Sequence, residues 1–112
     1  MTLNKVMIDR NVNGQAFEKA GQIDKATELY EANIADRFIG THPYDRLRVI
    51  YSRRKRYTEA IRVCKAFVNV LDEHIKKGSR QGDLKKVREE FINWIQKLEK
   101  KNQTEQNPAS DF

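Results

Sequence analysis

The sequence predicts an all-α fold of antiparallel helix–turn–helix repeats, two hairpins followed by a long closing helix. Three observations lead there. Apolar residues recur at helical spacing along most of the chain, and glycine (5) and proline (2) are scarce among its 112 residues. The third is a self-match at an offset of 34 residues. In the stretch from Pro43 to Phe67, Tyr44, Leu47, Ile50 and Tyr51 share one helical face, and Ala60, Cys64, Phe67 and Leu71 share another. Slid back by the offset, Phe17 answers to Tyr51, Ile23 to Tyr57, Ala26 to Ala60 and Tyr30 to Cys64. Gly14 and Gly21 stand where Arg48 and Lys55 stand later.

Taken in order, the first helix has two candidate starts. Ile8, Val12, Ala16 and Ala20 form an i, i+4 stripe that favours a start near Asn4, whereas Asn11, Asn13 and Gly14 are poor helix formers and favour one near Asn13. Gly21 ends it as a C-terminal cap. Asp24 is the expected N-cap of the second helix, which should turn Ala26, Leu29, Tyr30 and Ile34 inward. Phe38 to His42 reads as a loop. Pro43 suits the first position of the third helix, and Asp45 places a carboxylate at its positive end. The fourth helix is expected from Thr58, as cap, to Lys77, with Gly78 stopping it. These elements make residues 1–77 two hairpins.

Ser79 to Gly82 reads as a linker. Leu84, Val87, Phe91, Trp94 and Leu98 then define the longest uninterrupted pattern, flanked by Ile92 and Ile95. A third repeat in register needs Ala at position 94, so residues 78–101 are expected to be one closing helix instead. Terminal units of repeat arrays are commonly atypical. Its 3-4-3-4 spacing also suits a helical seam, and it predicts a homodimer through the 83–101 helix. Residues 102–112, polar and containing a proline, are expected to be a disordered tail.

The pattern G-x-x-F-x-x-x-G-x-I-x-x-A-x-x-x-Y from Gly14 to Tyr30 resembles the tetratricopeptide repeat, and the resemblance covers residues 14 to 71. The second copy departs where Arg48 and Lys55 replace glycines and Cys64 replaces an aromatic. In the first copy Arg10 and Asn13 replace large apolar residues. The segment also looks like small tetratricopeptide proteins of bacteria and their phages, in which a PYDRL-type helix opens the second repeat. The resemblance implies an α-solenoid whose first helices line a groove that holds a peptide or partner helix. Its groove positions here are Asn11, Gln15, Glu18 and Lys19, then Asp45, Arg46, Val49, Ser52 and Arg53. The family's carboxylate clamp needs a Lys–Asn pair and a further Asn. Asn11, Gln15 and Arg46 stand there instead, so chaperone-tail recognition is not implied.

The net charge of +6 is concentrated. Residues 1–40 carry 5 basic and 6 acidic groups, residues 41–88 carry 14 and 5, and residues 89–112 carry 3 and 5. The middle segment alone is therefore at +9, and it attracts acidic partners. Its densest part is Arg53-Arg54-Lys55-Arg56. Four consecutive cations on a helix point in nearly every direction, so a solvated helix end is the bland reading, beside a protein-binding face and a nucleic-acid surface. Phosphate contact by scattered cations would be weak and non-specific.

No catalytic, metal or cofactor set emerges. His42 and His74 lack ligand-spaced partners, and His42 is more simply a residue beside a proline. Cys64 has no neighbouring base in sequence and sits in an apolar stripe, which favours packing over nucleophilic chemistry. The glycines form no phosphate-binding pattern. A single cysteine allows no internal disulfide, and no apolar run is long enough to be a signal peptide or membrane span, so a cytoplasmic protein is expected. The expected function is a non-enzymatic protein-interaction module binding an acidic peptide or protein through Asn11, Gln15, Lys19, Asp45, Arg46, Val49 and Arg53. A small basic nucleic-acid-binding protein is the rival.

Overall fold

The computed structural model describes residues 2–78 and 83–106. Among them are five helices and no strand: α1 (Thr2–Lys19), α2 (Ile23–Ala35), α3 (His42–Arg53), α4 (Tyr57–Lys76) and α5 (Leu84–Gln106). Each helix packs mainly on its neighbours in sequence, and α2 also touches α4. The result is a slab of 56 × 37 × 18 Å with a radius of gyration of 15.3 Å. A compact chain of this length would have a radius near ~13 Å, so stacking in chain order has drawn the molecule out. Among the described residues no helix is long and apolar enough to cross a membrane.

The turns repeat as the sequence does. At the end of α1, Gly21 N–H donates to Glu18 O (3.0 Å) and Gln22 N–H to Phe17 O (2.8 Å). At the end of α3, Lys55 N–H donates to Ser52 O (3.0 Å) and Arg56 N–H to Tyr51 O (2.8 Å). Every partner has moved by the 34-residue offset. Both are Schellman turns, whose C′ residue must take a positive φ: 77° at Gly21 and 59° at Lys55. The same pair of bonds closes α2, with Arg37 at φ 59°.

The core is the expected one in the second hairpin. Tyr44, Leu47, Ile50 and Tyr51 of α3 and Ala60, Cys64, Phe67 and Leu71 of α4 are all buried. Tyr44 stacks on Phe67 at 4.3 Å between centroids, and Phe67 meets Phe91 of α5 edge-on at 4.8 Å. Leu84, Phe91 and Leu98 are buried, with Val87, Trp94 and Ile95 packed beside them. The stripe of α5 thus closes on α4.

The first hairpin departs from expectation. Its helix runs unbroken from Thr2, earlier than either start read from the sequence. The i, i+4 stripe faces water: Ile8 and Val12 are more than half exposed, and Ala16 and Ala20 are exposed. Met7, Gly14 and Phe17 face α2 instead, beside Arg10 and Asn11. The reason is Asn33, fully buried on α2, whose polar atoms need partners. Its amide donates to Met7 O and to Asn11 Oδ1 (2.9 Å each), while Arg10 donates to its carbonyl (3.3 Å). Tertiary partners of this kind outweigh the poor helix propensity of Asn11 and Gly14. The pair Arg10/Asn33 lies one offset before Tyr44/Phe67, so a polar pair fills the place an aromatic stack fills later.

Four local expectations are corrected. Asp24 is not a cap: Gln22 is the N-cap, without a side-chain bond, and Asp24 sits in the first turn. Thr58 likewise lies inside α4, behind the N-cap Arg56. Leu29 is only partly buried, whereas the buried Asn33 takes an inward place on α2. α5 continues to Gln106, so residues 102–106 are helical rather than tail. The remaining tail and most of the expected linker lie outside the described residues.

Candidate functional site

On the side where α1 and α3 lie next to one another, a shallow depression of about 400 Å³ is lined by Gln15, Glu18, Lys19, Ile23, His42, Arg46 and Arg53. Of the seven residues expected to bind, Gln15, Lys19, Arg46 and Arg53 converge here, and the groove position Glu18 joins them. The other three do not line it. Asn11 is turned onto α2 by its bond from Asn33. Asp45 accepts from Arg48 on its own helix (2.7 Å), and Val49 is half-buried outside the depression. Asn11 and Asp45 thus answer to neighbours within the fold.

At the floor, Glu18 holds Arg46 through Nη2–Oε1 at 2.7 Å and Nε–Oε2 at 3.1 Å, and it accepts the Tyr30 hydroxyl at 2.6 Å. Burial pushes the Glu18 carboxyl up, but the bonds from Arg46 and Tyr30 outweigh it and hold the group below its usual range. Tyr30 is raised by burial and by Glu18. His42, the first residue of α3, meets Tyr30 edge-on at 5.4 Å and lies 3.3 Å from the Gln15 amide. Burial lowers its pKa, against the pull of Glu18.

Arg46 is thus not a free cation. Lys19 and Arg53 are exposed and make no ion pair among the described residues. The depression has a satisfied polar floor and two free positive groups at its rim. Nothing in it pairs a nucleophile with a base. Cys64 is buried elsewhere, its thiol pushed up to about 12 by burial, which makes it inert packing.

Sequence reasoning missed His42 and the roles of Glu18 and Tyr30. The signal available was opposite charge on successive first helices, Glu18 against Arg46, but only the fold shows that they meet. Comparison with known proteins adds no identification: no family model matches the chain, and no curated protein or solved structure matches it.

Proposed function

We propose that the chain is a non-enzymatic protein-interaction module of tetratricopeptide-like architecture, which takes an acidic peptide segment along the α1/α3 depression. The observation that carries the reading is the rim: Lys19 and Arg53, from equivalent ends of two successive first helices, lack carboxylate partners over a floor that is already satisfied. A ligand carboxylate gains charge-assisted bonds there without breaking any inside the fold. Supporting the architecture are the 34-residue repetition of the Schellman bonds and the packing of helices in chain order. The second hairpin then acts as the rigid half of the site, since its aromatic stack fixes α3, while α5 covers the array's far side.

Amide chemical-shift mapping with a Glu-rich peptide tests this. Perturbations gathered at Gln15, Lys19, His42, Arg46 and Arg53 support the reading. Shifts confined to α5, or spread evenly over the cations, refute it.

A further inference from the structure

A second charged surface begins just beyond that depression, past Arg53 at the end of α3. The run Arg54-Lys55-Arg56 occupies the α3–α4 turn, and α5 returns antiparallel along α4 so that its last turns reach the same end of the molecule. Lys101 Nζ stands 5.9 Å from the ring of Tyr57, the first residue of α4, and Asn102 Nδ2 lies 3.5 Å from Thr58 Oγ1. Residues 44 positions apart in sequence thus form one edge.

Three acids near this edge are occupied. Asp24 pairs with Arg54 (2.8 Å), Glu59 with Arg62 (3.1 Å) and Glu99 with Lys65 (3.7 Å). Lys55, Arg56, Lys100 and Lys101 are exposed and make no ion pair among the described residues. Glu105, four residues beyond Lys101, is the one acid of the edge's described residues left without a cation. The aromatic rings here, Tyr51 and Tyr57, are buried, which leaves no platform for bases.

We propose that this edge is a nucleic-acid surface that contacts the phosphate backbone and reads no sequence. Cations on a protruding turn and a helix end suit a partner of regularly repeated negative charge better than a short peptide held in a cleft. A membrane surface fits less well, because the exposed large apolar side chains Val6, Ile8 and Val12 belong to the early turns of α1, away from this edge.

The test is an anisotropy titration of the full chain with a fluorescent 20-base-pair duplex. Wild type is compared with Lys55→Gln/Arg56→Gln/Lys100→Gln/Lys101→Gln and with a control that removes equal charge at the other end, Lys76→Gln/Lys77→Gln/Lys85→Gln/Lys86→Gln. At about 50 mM salt the edge variant should bind at least roughly tenfold more weakly. Its log–log salt slope should fall by about three to four, near one per lost phosphate contact, with the control within about twofold of wild type. The pair Lys100→Gln/Lys101→Gln, which spares the turn, should show about half the change in slope. No wild-type binding at that salt, equal losses in edge variant and control, or edge-dependent binding to anionic vesicles but not to the duplex would each overturn the proposal.

Discussion

The ring of Tyr30 lies against the bare Cα of Gly14, so close that a Cβ there would stand 2.5 Å from Cε1. One repeat later the sizes are exchanged. Cys64 is the small buried partner, and Arg48 is the large one, its guanidinium 3.7 Å from the centroid of the Trp94 ring. In the first hairpin the small residue lies on the first helix, in the second on the second helix, and there the large residue reaches on to α5.

Gly14→Ala should therefore destabilise the fold by about 1–3 kcal/mol, although removing a helical glycine ordinarily stabilises by up to about 1 kcal/mol. Tyr30→Cys, itself costly through lost volume and its bond to Glu18, should absorb most of that clash. Chemical denaturation of both single variants and the double variant would show it as a double variant less damaged than the sum. Additive losses would mean that the Gly14 contact is not what limits the site.

Lys55 holds the left-handed position that Gly21 holds in the first turn. A side chain there costs on the order of 1 kcal/mol, which glycine escapes, less its greater chain entropy. Lys55→Gly should raise stability by a few tenths to about 1 kcal/mol, and Lys55→Val should lower it. Thermal melts of the two variants check the order.

The second hairpin was legible from the sequence because its core is apolar and periodic, so Tyr44, Leu47, Ile50, Tyr51, Ala60, Cys64, Phe67 and Leu71 are buried as expected. The first was legible only in part: Ala26 and Tyr30 are buried and Gly21 caps the helix as expected, but α1 pairs through Arg10, Asn11 and Asn33, and polar burial leaves no periodic trace. The stripe that did stand out, Ile8 and Val12, faces solvent. The same limit applies to the candidate site. Spacing found Gln15, Lys19, Arg46 and Arg53, but that Arg46 is held by Glu18, 28 residues earlier, depends on how the hairpins stack.

That pairing separates the two arginines. Arg46→Glu sets two half-buried carboxylates together and should cost about 1–2 kcal/mol, discounted for partial exposure. Arg53→Glu, on the exposed rim, should stay within about 0.5 kcal/mol of wild type. Urea titrations of both variants decide whether Arg46 is structural.

Acid should weaken the fold in two stages. His42 has a lowered pKa, so between its folded value and about 6.5 the unfolded chain binds more protons, and stability falls as pH drops through that window. Glu18, also lowered, adds a loss that begins near its ordinary value of 4.5 and deepens below it. Melts from pH 8 to 3.5 should show both stages. His42→Gln should remove the first and leave the second.

The depression between α1 and α3 is the centre of the account, and one comparison tests it most directly. Anisotropy of a fluorescent Glu-rich peptide is titrated with wild type, with Lys19→Glu/Arg53→Glu, and with Lys76→Glu/Lys77→Glu as an equal charge change elsewhere. Turning rim attraction into repulsion should weaken binding by at least roughly tenfold while the melt stays in place and the control binds nearly as wild type. A rim variant that binds as tightly as wild type, or a control that loses as much, would contradict the assignment of this depression as the binding site.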